Sequence, residues 1–150
     1  LDGGVGADQI DGGPGDNDTI VYQYRTADVT VRLGINSADN GEADENDVIK
    51  GGIEHILSGA GNDTLVGDDG QNTLIGGAGN DTISGRKDED FLLGGEGDDL
   101  LTGNILPAEP GPNADGIRDF IEGNLGSDVC VRSPADDDSA TTCEAVVNRN

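Results

Sequence analysis

The stretch GGAGNDTIS (residues 76–84) decides the fold, because the chain repeats its pattern every nine residues. Five such units follow one another in register: SGAGNDTLV (58–66), GDDGQNTLI (67–75), GGAGNDTIS (76–84), GRKDEDFLL (85–93) and GGEGDDLLT (94–102). Position six is always Asp or Asn, and position eight is always Leu or Ile. A flexible Gly/Asp-rich linker does not account for a strictly periodic apolar residue. The period therefore indicates a repeat protein.

Each unit divides into a turn and a short strand. Glycines at positions one, two and four favour a turn with positive φ angles and close backbone approach. The last three residues, such as Thr82-Ile83-Ser84, predict a strand whose middle side chain points inward. Two units then make one coil of about eighteen residues, and stacked coils bury a ladder of Leu and Ile between parallel strands.

The composition limits the possible partners. The 150 residues include 31 acidic and 8 basic ones, which gives a formal net charge of −23. Nucleic acid is excluded as a partner, because phosphate contacts need Lys and Arg. No apolar run is long enough for a membrane span. Such a charge indicates either an acidic disordered tail or a fold neutralised by cations, and the periodic apolar residues favour the fold.

The first residues, LDGGVGADQI (1–10), start within a repeat and have neither the basic nor the apolar region of a signal peptide. We therefore expect the chain to be a fragment, or the mature remainder, of a longer protein.

The units match the nonapeptide G-G-x-G-x-D-x-U-x, where U is a large apolar residue. The chain resembles the RTX (repeats-in-toxin) calcium-binding family, directly over 58–103 and again in GGVGADQID (3–11), GGPGDNDTIV (12–21) and GNLGSDVCV (123–131). The resemblance implies an all-β fold, a right-handed parallel β-roll that forms a calcium-binding solenoid.

We expect one domain over 1–150, built from five consecutive segments. They are N-terminal repeats (1–21), spacer coils (22–57), regular nonapeptide repeats (58–103), repeats with an inserted loop (104–131) and a C-terminal cap (132–150). In the spacer, DVTVRL (28–33) and DVIKGGIEHI (47–56) predict strands on either side of an acidic loop, GINSADNGEADEN (34–46). The Pro-rich insertion in 103–122 is predicted to protrude as a loop.

Calcium suits glycine-rich turns, since it takes six to eight oxygen ligands from carboxylates and backbone carbonyls. In the RTX pattern each ion lies between two turns eighteen residues apart, with positions two, four and six of one turn facing positions one, three and five of the next. We call the side with the turns at 58, 76, 94 and 123 side A; each has Asp at position six, including Asp128 in the last. The predicted sites are Gly59, Gly61 and Asp63 facing Gly76, Ala78 and Asn80; Gly77, Gly79 and Asp81 facing Gly94, Glu96 and Asp98; and Gly95, Gly97 and Asp99 facing Gly123, Leu125 and Ser127.

The opposite side, side B, has the turns at 67, 85 and 103, where the motif is degraded. Asn72 replaces an Asp, and Arg86 and Lys87 stand where glycine and a small residue are typical. These cations are expected to pair with neighbouring Asp side chains in place of calcium. Asp90 keeps the aspartate of position six and remains a candidate ligand. The side B turns therefore either bind metal poorly or are structural turns without metal.

The N-terminal turns supply two further candidate ligands, Asp8 and Asp18. If turns alternate through the spacer, the turn at 12–18 lies on side A. The spacer acids Asp39, Glu42, Asp44, Glu45 and Asp47 form either a further ion site or a solvated acidic loop, and we favour the solvated loop.

Two other sequence features give only weak support for a functional site. GPNADGIRDFIE (111–122) resembles an EF-hand loop, but position one is Gly111 and no flanking helices are evident. A weak site from Asp115, Asp119 and Glu122 is the more plausible alternative. His55, the only histidine, has no neighbouring nucleophile or metal-ligand pair. We expect no enzymatic activity from this chain.

Cys130 and Cys143 are the only cysteines, a departure from most RTX proteins. In an extracellular chain an even count predicts one disulfide, here closing the end of the roll, and two free thiols are the alternative. A disulfide also favours a general secretory route.

We therefore expect a calcium-binding structural module of a secreted or cell-surface bacterial protein, which folds on binding several Ca²⁺ ions between stacked turns. One alternative is a calcium-dependent fibre or adhesin subunit that binds itself, a cell-surface glycan or a protein. The other is the non-catalytic C-terminal region of a secreted RTX enzyme.

Overall fold

The computed structural model describes residues 1–103, 118–132 and 139–148, and every regular element in these ranges is a β-strand. The strands are β1 (Gln9–Ile10), β2 (Thr19–Val21), β3 (Val29–Arg32), β4 (Ala38–Glu42), β5 (Asp47–Ile49), β6 (His55–Leu57), β7 (Thr64–Val66), β8 (Thr73–Ala78), β9 (Thr82–Ser84), β10 (Phe91–Glu96), β11 (Leu100–Thr102), β12 (Phe120–Leu125), β13 (Val129–Arg132), β14 (Ser139–Thr141) and β15 (Ala145–Asn148).

From β5 onwards, successive strands alternate between two sheets, which is what a coil of two nonapeptides predicts. One sheet has nine strands in the order β1-β5-β4-β3-β7-β9-β11-β13-β15, and the other has six in the order β14-β12-β10-β8-β6-β2. From β6 onwards every pairing is parallel, and equivalent positions of successive coils are partners, as Leu74 and Leu92 are. This arrangement is consistent with a β-roll.

The core is the ladder of position-eight side chains between the sheets, as predicted. Leu65, Leu74, Ile83, Leu92 and Leu101 are all 0 % exposed. The ladder continues through Ile121 and Cys130, and extends into the N-terminal strands through residues such as Ile20 and Ile56. Since each coil contributes only two or three such side chains, burial depends on neighbouring coils.

The spacer differs from expectation in one element. Strand β3 joins the nine-stranded sheet in parallel with β7, but the acidic stretch predicted as a loop contains β4. Strand β4 pairs antiparallel with both β3 and β5, so it is inserted within an otherwise parallel sheet. The backbone N–H and C=O groups of Asn40-Gly41-Glu42 face the neighbouring strands on both sides of β4. The acidic composition of this stretch gave no sign that it forms a strand.

The predicted C-terminal cap is one further coil. Strand β14 pairs with β12 and strand β15 with β13, so each sheet gains one strand. The predicted disulfide between Cys130 and Cys143 is present, with a Cα–Cα distance of 6.0 Å. It ties the last coil to the one before. The Pro-rich insertion, 104–113, lies outside the described residues.

Candidate metal centre

The turns lie at two opposite edges of the sheets. Side A turns run from the six-stranded to the nine-stranded sheet, at 58–63, 76–81, 94–99 and 123–128. The turn at 12–18 runs the other way, from β1 to β2, and stacks on 50–54 through the bond from the Gly12 N–H to the Gly51 carbonyl. It therefore belongs to side B, and the prediction that it lies on side A is wrong, because the antiparallel β4 changes the alternation.

The position-six aspartates of side A form a buried ladder. Asp63, Asp81, Asp99 and Asp128 are each at most 2 % exposed. The backbone N–H of Asp63 donates to Oδ1 of Asp81 over 2.8 Å, that of Asp81 to Oδ1 of Asp99 over 2.8 Å, and that of Asp99 to Oδ1 of Asp128 over 2.9 Å. Glu144 ends the ladder by accepting from the Asp128 N–H. One oxygen of each carboxylate thus ties its coil to the preceding one.

The other carboxylate oxygen is where a cation fits. The Oδ2 atoms of Asp81, Asp99 and Asp128 are buried and have no hydrogen-bond donor among the described residues. Each lies against the position-one glycine of its own turn, where an added Cβ would clash with it. A buried carboxylate oxygen without a partner is costly, and a bound divalent cation would remove that cost. The chemistry of this donor set fits calcium, a hard cation that prefers oxygen.

Burial also changes the acidity of these groups. Burial, followed by the charges of Asp63 and Asp99, raises the pKa of Asp81 to about 7, although the N–H of Asp63 opposes the shift. Burial likewise raises the pKa of Asp99. Without a cation the Asp81 carboxyl is therefore partly protonated near neutral pH.

Two backbone carbonyls of side A point in opposite directions along the stack of coils. The carbonyl of Gly59, at position two, accepts from the N–H of Ala78 in the next coil. The carbonyl of Glu96, at position three, accepts from the N–H of Gly79 in the preceding coil. Position two thus faces forward and position three faces back, and each carbonyl keeps a second lone pair.

Glycine is required at positions two and four of the central turns. Gly77, Gly79, Gly95 and Gly97 have φ angles of 112°, 120°, 127° and 126°. A Cβ at Gly95 would also meet the carbonyl oxygen of Gly77, one coil away. The backbones of adjacent turns therefore approach too closely for any side chain.

A second ladder, at position five, was missed by the sequence analysis. The N–H of Asn80 donates to Oδ1 of Asn62, and the N–H of Asp98 to Oδ1 of Asn80, each over 2.8 Å. Ser127 continues it by donating to Asp98. These bonds run opposite to those of the position-six ladder. The recurrence of Asn or Asp at position five was the available signal.

The first predicted site differs from the other two. Position one of its turn is Ser58, whose hydroxyl donates to Oδ2 of Asp63. Oδ1 of Asp63 accepts from the Val29 N–H over 2.8 Å, so both oxygens have partners. Gly59 and Gly61 pack against the backbone of the spacer at Arg25 and Ala27. This turn therefore joins the repeats to the spacer.

Side B keeps the carboxylate ladder, but its turn at 85–90 has no glycine at positions two and four. Asp90 and Asp119 are buried, and Asp90 accepts from the Asn72 N–H over 2.9 Å. Arg86 and Asp88 adopt φ angles of 90° and 67° at positions two and four, where glycine is usual. Lys87 pairs with Asp69 over 2.6 Å at an exposed site, which confirms the expected pairing for this one of the two side B cations.

Asn72 has a local role. Its Oδ1 accepts from the Asp68 N–H within the same turn over 2.8 Å. The turn at 67–72 is thus closed by its own amide.

The spacer acids are organised around Arg25. Its guanidinium contacts Glu42 over 2.9 Å and Glu45 over 3.0 Å, and donates to the carbonyl of Gly4. Asp47 is 0 % exposed and accepts from the Tyr22 hydroxyl and the Asp8 N–H, each over 2.9 Å. The solvated loop that we favoured is therefore wrong for Glu45 and Asp47, and an arginine lies where a further ion was the alternative. Asp39 and Asp44 are exposed.

The two N-terminal candidates have different surroundings. Oδ2 of Asp8 is buried without a donor among the described residues, like those of the side A ladder. The N–H of Asp18 donates to Glu54 over 2.9 Å, on side B.

Other kinds of site find no support in the described part of the chain. No group of three or more His, Cys, Asp or Glu side chains there is placed to hold a metal. His55 lies 2.8 Å from the Asn17 amide oxygen through Nε2. Within the EF-hand-like stretch, residues 111–117, including Asp115, lie outside the described residues. No described helix is long and apolar enough to cross a membrane.

A comparison with protein families gives one result. The family model of the RTX calcium-binding nonapeptide repeat matches in four copies, at residues 1–20, 48–83, 57–92 and 84–105. These ranges together cover more than half of the 150 residues. No curated protein matches the chain.

Proposed function

Since the chain belongs to the RTX calcium-binding nonapeptide repeat family, we propose that it is a structural module whose side A turns fold around calcium. Repeats of this family are calcium-binding modules of bacterial secreted proteins. The finer proposal is that Ca²⁺ ions occupy the stacked turns of a right-handed β-roll, and that their binding supplies much of the folding free energy.

One observation carries the proposal. Three consecutive buried carboxylates, Asp81, Asp99 and Asp128, each have one oxygen bonded to the previous coil and one without a donor among the described residues. Stacked charges of this kind repel when no cation lies between them. Bound calcium would neutralise the ladder and complete its ligation.

The residues of the second and third predicted sites have distinct parts in this proposal. The carboxylates of Asp81 and Asp99 provide charge, and the carbonyls of Gly77, Gly79, Gly95 and Gly97 provide neutral ligands. Gly76 and Gly94 have no Cβ, which would otherwise clash with Oδ2 of Asp81 and Asp99. The position-five amides hold consecutive turns at a fixed spacing.

Calorimetric titration with calcium tests the proposal. The variant Asp81→Asn/Asp99→Asn/Asp128→Asn keeps the Oδ1 acceptors and removes three charges. We expect it to bind fewer ions than the parent chain, with at least about tenfold weaker affinity for those that remain, because ligand charge sets calcium affinity. The control Asp2→Asn/Asp11→Asn/Asp44→Asn removes the same charge from exposed positions. Equal losses in both variants would reject the ladder as the calcium site.

The calcium requirement and the disulfide also bear on where the protein is located. Millimolar calcium and a persistent disulfide both belong to the extracellular space, so we propose that the module acts there.

A second candidate, self-assembly, has one observation in its favour. Strand β15 is the last of the nine-stranded sheet, and Val146 and Val147 on it are 41 % and 42 % exposed. Apolar edge strands pair readily with other strands. Sedimentation at varied calcium tests it, and a monomer at all concentrations would reject it.

A further inference from the structure

The two phenylalanines of the chain are both on the surface, next to each other. Phe91 on β10 and Phe120 on β12 are register partners, 38 % and 40 % exposed, on the outer face of the six-stranded sheet. The same outward ladder holds His55 and Thr73 in the preceding coils. No phenylalanine belongs to the buried core, so both phenylalanine rings lie together on the surface.

A groove of about 480 Å³ lies beside this pair, between side B and the sheet face. We call it the Phe groove, and Phe91, Phe120, Asp16, Glu54, Gln71 and Glu89 line it. Its walls come from five successive coils: strands β6, β8, β10 and β12 each contribute a residue, and Asp16 lies in the turn before β2. With strands about 4.8 Å apart, it extends about 19 Å, the length of about six residues of extended peptide.

The charge of the Phe groove is one-sided. Asp16 and Glu89 are exposed carboxylates, Glu54 and the buried Asp90 add two more, and no Lys or Arg among the described residues lines the groove. A ligand that matches it needs a cationic head for the carboxylates and an apolar stem for the rings. Lysine and arginine side chains have both parts, and their cations bind favourably over aromatic faces.

We propose that the Phe groove binds a basic, extended segment of a partner protein. Phe91 and Phe120 form the platform for arginine or lysine side chains, and the carboxylates of Glu89, Glu54 and Asp16 fix the charged heads. The occupant is a peptide because the groove is elongated and crosses five coils, whereas a single small cation would contact only one. This inference goes beyond the calcium-binding role and does not depend on it.

Fluorescence anisotropy with a labelled peptide of alternating arginine and glycine, about six residues long, tests the proposal. The titration is made with calcium present and at about 0.15 M salt, where charges more than about 8 Å away are largely screened. We expect Phe91→Thr and Phe120→Thr each to weaken binding about three- to fivefold, and the double variant at least about tenfold. Threonine already occupies this ladder at Thr73, and circular dichroism verifies that each variant is folded.

Two controls separate the groove from the overall negative charge. Tyr24→Thr removes an aromatic ring that is 84 % exposed elsewhere, and it should leave binding within about twofold. Glu89→Gln should weaken binding more than Asp44→Asn, although both remove one exposed charge. Equal effects within either pair would overturn the proposal, since binding would then be non-specific.

Other occupants give different results. Tighter binding of a neutral oligosaccharide than of the arginine peptide would overturn the proposal. A parent-chain dimer that Phe91→Thr/Phe120→Thr converts to monomer would also overturn it, because a second copy would then cover the rings. Loss of peptide binding in a groove variant that still folds in calcium tests the groove proposal alone. A parent chain that does not respond to calcium would argue against the proposed function and leave the groove proposal unaffected.

Discussion

Oδ1 of Asp81 accepts a hydrogen bond from the backbone N–H of Asp63, eighteen residues earlier, over 2.8 Å. The same carboxylate leaves Oδ2 buried with no donor among the described residues. One side chain thus links two coils and presents a free oxygen to the space between turns.

Asp81→Ala should lower calcium cooperativity far more than Asn72→Ala. The first change removes a buried charge and a hydrogen bond from the middle of side A, at a cost of about 2–3 kcal/mol in the calcium-bound state. The second removes an amide whose Oδ1 bonds within its own turn, at about 1 kcal/mol. Calcium titrations followed by circular dichroism measure both effects. Equal Hill slopes and midpoints for the two variants would contradict the difference between sides A and B.

The metal-free chain should be more ordered at about pH 5 than at about pH 8. The pKa of Asp81 is raised to about 7 in the folded chain, above the value of about 3.9 for an unfolded chain. The folded state therefore binds more protons between these values, and the free energy of unfolding falls as pH rises through them. Far-UV circular dichroism of chelator-treated protein across this pH range provides the measurement. Calcium should reverse the trend, since it binds the deprotonated carboxylate, and metal-free stability that rises with pH would contradict it.

Gly95→Ala should destabilise the calcium-bound chain by at least about 2 kcal/mol, because it combines a strained φ of 127° with a clash on the Gly77 carbonyl. Gly70→Ala is the matched control. Its φ lies outside the left-handed region, and an added Cβ would meet only a side-chain oxygen of Asp68 at 3.5 Å. It should change stability by less than about 1 kcal/mol. Thermal unfolding in calcium compares the two, and similar midpoints would show that the turns are not closely stacked.

Arg25→Gln should cost about 2 kcal/mol even in saturating calcium, because it leaves the largely buried carboxylate of Glu45 without its cation. Lys87→Gln breaks an ion pair whose side chains are 51 % and 68 % exposed, and should cost at most about 0.5 kcal/mol. Urea unfolding of both variants with calcium present provides the comparison. If high calcium rescues Arg25→Gln completely, the guanidinium is interchangeable with an ion at this place.

Much of the fold was predictable because it depends on period alone. A large apolar residue, such as Ile83 or Leu92, recurs at position eight of each unit. This spacing predicted the buried core and the parallel register, and the repeated motif indicated the family; all three are confirmed. The pairing of Cys130 with Cys143 also followed from the cysteine count and an extracellular setting.

The contacts that were missed join residues with no fixed spacing. Arg25 reaches acids seventeen and twenty residues away through a long side chain, and nothing in the repeat specifies that contact. The chain reverses between β3 and β4 and again between β4 and β5 while staying in one sheet, so turns do not alternate sides through the spacer and the turn at 12–18 lies on side B. The position-five bonds were periodic and visible, but the predicted role of Asn80 used only its backbone carbonyl, so its side chain was not considered.

Far-UV circular dichroism of the whole chain, with calcium and then with excess chelator, tests the central claim most directly. The account predicts a β-sheet spectrum in calcium, a loss of most of that signal on chelation, and full recovery when calcium is restored. Magnesium at the same concentration should not restore it, since carbonyl-rich, irregular ligand sets suit the flexible coordination of calcium. A β-sheet spectrum that chelator leaves unchanged would contradict the claim that calcium between the stacked turns holds the coils together.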